Sequence, residues 1–180
     1  MIRVTVDSIR VSLLTQHRIV VLRETDSRRY LPIWIGPFEA DAIALALQGY
    51  EPQRPMTHDL LKSVFTELGA TVNHIVVNDA DEHTFFARIV VEQGGHTLEI
   101  DARPSDAIAL AVRTDIPIYV EEHVFERAGT TSDDEESASL EEPTIEESDN
   151  ESVDEEGLSP FREFINSLDF DDDEGKKGKQ

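Results

Sequence analysis

The chain has 180 residues, a length typical of one domain, and its 16 basic and 38 acidic residues give a formal net charge of −22. Residues 1–129 hold 12 of the basic and 19 of the acidic side chains, so most of the excess negative charge lies beyond residue 129. This distribution excludes a broadly basic nucleic-acid surface, and the absence of cysteine excludes disulfides, thiolate metal sites and cysteine nucleophiles.

The chain start and the longest apolar run bear on location. Arg3, Asp7 and Arg10 interrupt the first ten residues, so no signal-peptide core forms there. The longest apolar run, Ala42–Leu47, is far shorter than the roughly 20 residues of a membrane span. We expect a soluble, cytoplasmic protein.

Residues 1–129 predict an α+β domain with a mixed or antiparallel sheet and short helices. Apolar residues alternate from Ile2 to Val6 and from Ile9 to Leu13, and the one-residue slip between these runs predicts a bulge in one long strand. The other predicted elements, in chain order, are strands at 18–24 and 30–35, a helix at 37–48, a loop at 49–56, a helix at 57–68, strands at 72–78, 84–93 and 96–102, a helix at 105–113, a strand at 118–120 and a weak helix at 121–127.

Three residues mark the predicted helix ends. Pro37 suits the first helical position, Thr57 is a candidate N-cap, and Gly69 is a natural C-terminal stop.

The hexapeptide DAIALA occurs at Asp41–Ala46 and again at Asp106–Ala111, 65 residues later. Each copy follows a predicted strand and a proline-containing turn, which favours an internal duplication of a strand–helix unit. Such a duplication would place Asp41 and Asp106 in equivalent positions near two helix starts. Chance similarity between alanine-rich helices stays open as the alternative.

Several ordered runs carry a family resemblance. The segments LPIWIGPFEADAIALALQG, RPMTHDLL, LGATVNHIVVNDADEHTFFARI, IDARPSDAIALAVR and PIYV resemble the bifunctional nuclease domain family, proteins described as acting on both DNA and RNA. The resemblance covers about Ile2 to Arg127 and none of the tail. It implies a compact α+β domain that self-associates and has nuclease activity, but it supplies no catalytic set to transfer. Glu82-His83 departs from the Gly or Asn expected in that turn.

Phosphodiester cleavage needs neutralised phosphoryl oxygens, an activated nucleophile and a stabilised leaving group. Charged and polar residues suited to these tasks fall in three predicted turns. They are Glu39 and Asp41 in the first, Arg54, His58 and Asp59 in the second, and Asp101, Arg103, Ser105 and Asp106 in the third.

The third turn is the densest. We predict that Arg103 and Ser105 bind a phosphate at the helix start, and that Asp101 and Asp106 take part in catalysis. Together with Glu39, these two aspartates form the predicted ligand set for Mg²⁺ or Mn²⁺. The structural alternative is that Ser105 or Asp106 caps the helix while Asp101 and Arg103 form a local ion pair.

In the second turn, His58 is a candidate general base, with Asp59 as a second catalytic residue and Arg54 as a substrate ligand. The alternative is that Asp59 balances the helix dipole and His58 is an exposed or capping residue. The other histidines lack zinc-site spacing, and no P-loop, GxGxxG or GxSxG motif occurs, so we expect no organic cofactor.

Two functions from different classes follow. The first is a metal-assisted nuclease acting on DNA and RNA as a homo-oligomer; the second is a noncatalytic interaction or regulatory module using the same charged turns. Convergence of Glu39, Asp59, Asp101 and Asp106 on one cleft would favour the nuclease, and their dispersal the second function.

The tail has its own pattern. Residues 130–157 contain 13 acidic and no basic residues, which predicts a disordered acidic linker. Ser159-Pro160 predicts the start of a short amphipathic helix within 158–170, followed by a disordered end at 171–180. We expect this helix to dock on the domain and hold residues 133–156 against the arginine-bearing turns, in competition with nucleic acid. Recognition of another protein, or an unstructured end, is the alternative.

Overall fold

The computed structural model describes residues 1–11, 17–81 and 84–131. The predictions for Leu13, for Glu82-His83 and for everything beyond residue 131 lie outside these ranges. The elements are β1 (Ile2–Val11), β2 (Arg18–Glu24), β3 (Arg29–Ile35), α1 (Pro37–Leu47), α2 (Thr57–Glu67), β4 (Ala70–Ala80), β5 (Phe85–Gln93), β6 (His96–Ala102), α3 (Pro104–Thr114), β7 (Ile118–Val120), α4 (Glu122–Ala128) and β8 (Thr130–Thr131). The predicted α+β class is confirmed.

The strands form one mixed sheet in the order β6-β5-β4-β7-β1-β2-β3-β8. β1, β2 and β3 form an antiparallel meander followed by α1, and β4, β5 and β6 form a second meander followed by α3. β7 lies between the two, parallel to β4 and antiparallel to β1. The predicted repeat of a strand–helix unit therefore extends to three strands and a helix.

The structural repeat and the DAIALA repeat have different offsets. Pro37 and Pro104 each occupy the first position of their helices, 67 residues apart, whereas the hexapeptides are 65 apart. The third helical positions are consequently Glu39 in α1 and Asp106 in α3. The predicted equivalence of Asp41 with Asp106 is wrong, because proline rather than the hexapeptide sets where each helix begins.

The predicted bulge in β1 is confirmed. The register between β1 and β2 shifts between Val6 and Ser8. Val6 and Ile9 both pack against the core although they are three positions apart, because the extra residue restores the alternation.

One hydrophobic core lies between a face of the sheet and the helices. α3 is the most buried helix, with Ala107 through Ala111 no more than 1% exposed. Its alanines allow close approach, and both α1 and α2 pack against it. This packing brings residues from the first turns of three helices together.

Two predicted boundaries need correction. Thr57 is the first residue of α2 and not its N-cap, because the Asp59 carboxylate accepts a hydrogen bond from the Met56 backbone N–H at 2.8 Å and places the cap at Met56. Thr130 and Thr131 pair with β3, so the folded domain extends two residues into the predicted linker. Gly69 ends α2 with a φ of 67°, as predicted. Within the three described ranges, no helix is long and apolar enough to cross a bilayer.

Candidate functional site

Four charged or titratable side chains from three helix starts form a chain of contacts, here called the ion-pair cluster. Arg103 donates from one terminal nitrogen to Glu39 Oε1 at 2.6 Å and from Nε to Asp106 Oδ2 at 2.7 Å. Asp106 Oδ1 lies 3.2 Å from His58 Nε2. The cluster thus joins α1, α2 and α3 and combines an imidazole, a guanidinium and two carboxylates.

The cluster follows from how the two repeated helices begin. Arg103 is the N-cap of α3, with extended backbone, and its carbonyl accepts the Ala107 N–H at 3.1 Å. Glu39 and Asp106, each two residues after the helix-starting proline, lie in first turns, where unpaired N–H groups favour carboxylates. Because α1 and α3 pack together, both carboxylates reach the same guanidinium.

Gly36 leaves room for Glu39. A Cβ built on Gly36 would overlap the Glu39 carboxylate, whose Oε1 binds Arg103. Gly36 is the N-cap of α1 and has a φ of −67°, which any residue can adopt. Glycine is therefore needed here for space rather than for backbone conformation.

The electrostatics of the cluster keep Asp106 ionised. Burial raises the pKa of Asp106, but the hydrogen bonds and charges of Arg103 and His58 outweigh burial and lower the pKa below the ordinary 3.8. The same carboxylates raise the pKa of Arg103, with Asp106 the stronger cause and Glu39 the next. Arg103 and Asp106 are therefore both charged near neutral pH.

An ionised Asp106 determines the proton position on His58. A carboxylate only accepts hydrogen bonds, so Nε2 of His58 donates the proton between them. In neutral imidazole this leaves the lone pair on Nδ1, which makes no hydrogen bond to the described residues. The His58 side chain is 9% exposed, so Asp106 orients a ring that is nearly enclosed.

Asp59, the residue after His58, has a different environment. Its carboxylate accepts from Arg113 Nε at 2.9 Å, and Arg113 also donates to the Ala42 carbonyl at 2.7 Å. The Arg113 side chain is nearly buried. Asp59 and Arg113 therefore form a second ion pair, which fixes the α2 start against α1 and α3. Asp59 lies in the first turn of α2, where the helix-dipole alternative placed it, but that alternative is wrong about His58, which is buried rather than exposed or capping.

The remaining predicted site residues do not join the cluster. Arg54 and Asp41 are exposed, and Ser105 is buried in the first turn of α3. Asp101 lies opposite Arg88 in β5, while the neighbouring pair of Ala102 and Ala87 faces the core. Strand alternation therefore directs Asp101 to the other face of the sheet.

The structural alternative for the third turn is also wrong. Neither Ser105 nor Asp106 caps α3, and Arg103 pairs with Asp106 and Glu39 rather than with Asp101.

The predicted metal ligands are not brought together. Glu39 and Asp106 both bind Arg103, and Asp101 faces elsewhere. Residues 1–11, 17–81 and 84–131 contain no group of three or more His, Asp or Glu side chains arranged to hold a metal ion. The donor set as arranged does not fit a dedicated Mg²⁺ or Mn²⁺ site, because the guanidinium takes the carboxylate oxygens.

Two further features were not predicted from the sequence. A cavity of about 590 Å³ lies along the α1–α2 loop, and Tyr50, Asp59, Lys62 and Arg113 are among its lining residues. Phe38, next to Glu39, is 83% exposed. The sequence held a signal for each feature. Tyr50 is an aromatic residue directly after Gly49, which follows the end of α1, and Phe38 lies off the buried face of that helix.

Comparisons with known proteins place this chain in a family. Residues 20–133 match the model of the bifunctional nuclease domain. An uncharacterised protein of Mycobacterium tuberculosis is 41% identical over 169 residues, which cover 94% of this chain and 96% of that relative. The match is longer than the 131 residues that end at Thr131, so this similarity includes part of the tail. The resemblance identified from the sequence covered none of the tail.

Plant relatives match over the domain alone. Bifunctional nuclease 2 of Oryza sativa subsp. japonica is 31% identical over 108 residues, 58% of this chain and 33% of that protein. Bifunctional nuclease 1 of Arabidopsis thaliana is 29% identical over 112 residues, 60% of this chain and 34% of that protein. The shared part is thus about a third of each plant protein.

Proposed function

This chain belongs to the bifunctional nuclease domain family, and from that membership and the site geometry we propose that it is a nuclease cleaving phosphodiester bonds in DNA and RNA. The observation that carries the proposal is the ion-pair cluster, which joins an oriented imidazole to a partly exposed guanidinium. An imidazole can move a proton near neutral pH, and a guanidinium can bind two phosphate oxygens.

His58 is the proposed general base. Its Nδ1 lone pair accepts a proton from the attacking water as the water oxygen bonds to phosphorus and the bond from phosphorus to the leaving oxygen breaks. Asp106 holds Nε2–H and stabilises the imidazolium that forms, and the leaving oxygen takes its proton from solvent. A carboxylate that orients a histidine in this way fixes both its tautomer and its ring position. The nucleophile is water rather than a ribose hydroxyl, because the proposed substrates include DNA.

Arg103 is the proposed phosphate ligand. Its side chain is 66% exposed, and only part of its five N–H donors are used by Glu39 and Asp106. The unused donors are available to a phosphoryl oxygen. Glu39 acts as a positioning residue, since it holds the guanidinium and does not itself approach the phosphate.

The charge of the cluster changes in the direction that catalysis requires. With a neutral imidazole the four side chains sum to −1, and after His58 takes a proton they sum to zero. Negative charge develops on the phosphoryl oxygens during the same step. The cluster therefore interacts more favourably with the transition state than with the bound substrate, which is what lowers a barrier.

The divalent metal predicted from the sequence remains a proposal, and no step above depends on it. The assay therefore includes an arm with excess EDTA and an arm with added Mg²⁺ or Mn²⁺. Cleavage that persists in EDTA would favour the histidine mechanism alone. Cleavage abolished by EDTA and restored by one metal would add that metal to the mechanism.

The test compares two histidine–aspartate pairs in the same protein. His123 Nε2 lies 3.4 Å from Asp79 Oδ1, with the His123 side chain 52% exposed, so His123→Gln is a matched control for His58→Gln. We expect His58→Gln to lower kcat/KM on labelled DNA and RNA oligonucleotides by about 10²- to 10⁴-fold, with His123→Gln unchanged. Identical purification of all variants controls for a contaminating nuclease. Equal activity of the two variants would refute the proposal.

Two observations favour the second candidate, a noncatalytic interaction module. Asp59 and Asp101 do not converge with Glu39 and Asp106, which is the dispersal expected of that function. The cluster and the Asp59–Arg113 pair lock three helices together, a role that needs no chemistry. In that case His58→Gln would lower the melting temperature while wild-type protein cleaves nothing. A stable, inactive His58→Gln variant of an active wild type would exclude it.

A further inference from the structure

Phe38 is the most exposed of the large apolar side chains in the described residues, at 83%. It occupies the second position of α1, directly before Glu39, whose carboxylate binds Arg103. The buried face of α1 is formed by Ala40, Ala42 and Ile43. Phe38 therefore adds little to the core and stands in solvent, next in sequence to a member of the ion-pair cluster.

Resting on the proposed nuclease function, we propose that the site takes single-stranded nucleic acid and that the Phe38 ring stacks on a base beside the scissile phosphate. An aromatic ring offers its face to any base, and such stacking contributes roughly 1–3 kcal/mol per base without reading its identity. Stacking does not contact the 2′-hydroxyl either. One platform therefore serves both DNA and RNA.

The charge of the domain makes a stacking contact important for nucleic-acid affinity. Nucleic-acid affinity comes largely from basic side chains that neutralise phosphates, yet residues 1–129 hold 12 basic against 19 acidic residues. Arg113 is buried in its pair with Asp59, and Arg103 already has two carboxylate partners. Arg103 alone then supplies little of the affinity, and a contact that needs no net positive charge adds to it.

The same shortage of positive charge disfavours a duplex. Bases in a duplex are stacked and paired, and extracting one costs a few kcal/mol before any stacking on protein is gained. Proteins that handle duplexes offset this cost with many phosphate contacts, and a domain with 12 basic against 19 acidic residues is poorly supplied with them. A single strand presents bases that stack on Phe38 at little cost.

A second exposed aromatic residue extends the platform. Tyr50 lies beyond the far end of α1, a helix of 11 residues and so about 16 Å long, and it lines the cavity that also includes Lys62. On this proposal, a strand with one base on Phe38 runs along α1 to a second aromatic residue and a lysine at this cavity. This arrangement suits a short single-stranded segment.

The test measures binding separately from cleavage. Full-length protein carrying His58→Gln is titrated with a short labelled DNA oligonucleotide, single-stranded or annealed to its complement, and anisotropy gives Kd. Leu47→Ala is the matched control, because Leu47 is also an exposed apolar residue of α1. We expect the single strand to bind more tightly than the duplex, and Phe38→Ala to weaken single-strand binding by about 5- to 150-fold. Phe38→Trp should preserve binding, and Leu47→Ala should be neutral.

Each outcome separates this inference from its rivals. Equal Kd values for single strand and duplex, or equal effects of Phe38→Ala and Leu47→Ala, would overturn it. Light scattering supplies another check, because Leu60 and Val64 of α2 and its C-cap Leu68 are exposed, a stripe suited to the predicted homo-oligomer. If Phe38→Ala lowers the molecular mass and leaves single-strand Kd unchanged, Phe38 is an interface residue. Phe38-dependent binding by a wild type that cleaves nothing would keep this inference and refute the proposed nuclease.

Discussion

Replacing Arg103 with alanine removes the central member of the ion-pair cluster. The substitution breaks the contacts to Glu39 at 2.6 Å and to Asp106 at 2.7 Å. It leaves two carboxylates and His58 without a guanidinium. Stability and cleavage should respond very differently, and the difference separates a structural role from a functional one.

The effect on stability should be moderate. Exposed ion pairs contribute about 0.2–1 kcal/mol each, and the Arg103 side chain is two-thirds exposed. Its partners Glu39 and Asp106 are only 16% and 31% exposed, so both pairs lie at the upper end of that range and predict a loss of about 2 kcal/mol in the free energy of unfolding. Arg88→Ala removes the more exposed pair with Glu99 on the other face of the sheet, so it should cost less and serves as the control for loss of a surface arginine.

The effect on cleavage should be large. Removing one preorganised donor from a developing oxyanion costs about 10²- to 10³-fold in rate in well-studied enzymes. We therefore expect Arg103→Ala to lower kcat/KM by at least about 100-fold, measured with labelled oligonucleotides, while Arg88→Ala stays close to wild type. Urea denaturation gives the matching stabilities. Similar cleavage by both variants would refute the phosphate-binding role of Arg103, and a loss of folding in Arg103→Ala alone would make it structural.

Three further predictions follow from neighbouring features. Gly36→Ala should displace the Glu39 carboxylate from Arg103 and reduce cleavage with little loss of melting temperature, and an unchanged kcat/KM would remove Glu39 from the site. The lowered pKa of Asp106 contributes stability that is fully present above the ordinary value of 3.8 and is lost as pH falls through the folded-state value. The difference in urea stability between wild type and Asp106→Asn should consequently shrink from about pH 7 to about pH 3, and a constant difference would contradict this. Ending the chain after Thr131, which retains β8, should raise single-strand affinity most at low salt if the acidic tail competes, and equal affinities there would exclude competition.

Local patterns predicted the elements well, because the physics that sets them is local. The slip between Val6 and Ile9 predicted the β1 bulge, and Pro37 and Gly69 predicted a helix start and a helix end. Steric restriction of proline and the freedom of glycine act within one or two residues. Such signals do not depend on the rest of the fold.

The sequence predicted which residues form the ion-pair cluster better than it predicted which of them pair. Glu39, His58, Arg103 and Asp106 were all candidates, yet nothing local shows that Arg103 reaches α1 rather than the nearby Asp101. That choice depends on the face of β6 from which Asp101 projects and on the packing of α1 against α3. Both are properties of the sheet register and of helix contacts between residues far apart in sequence.

The two repeated units have a consequence for what the site requires of the chain. The first unit supplies Glu39, the second supplies Arg103 and Asp106, and His58 comes from α2 in the segment between them. The two equivalent N-caps have different tasks, since Gly36 makes room for a carboxylate and Arg103 binds it. Neither unit expressed alone contains the site, but complementary fragments that reassemble should restore it.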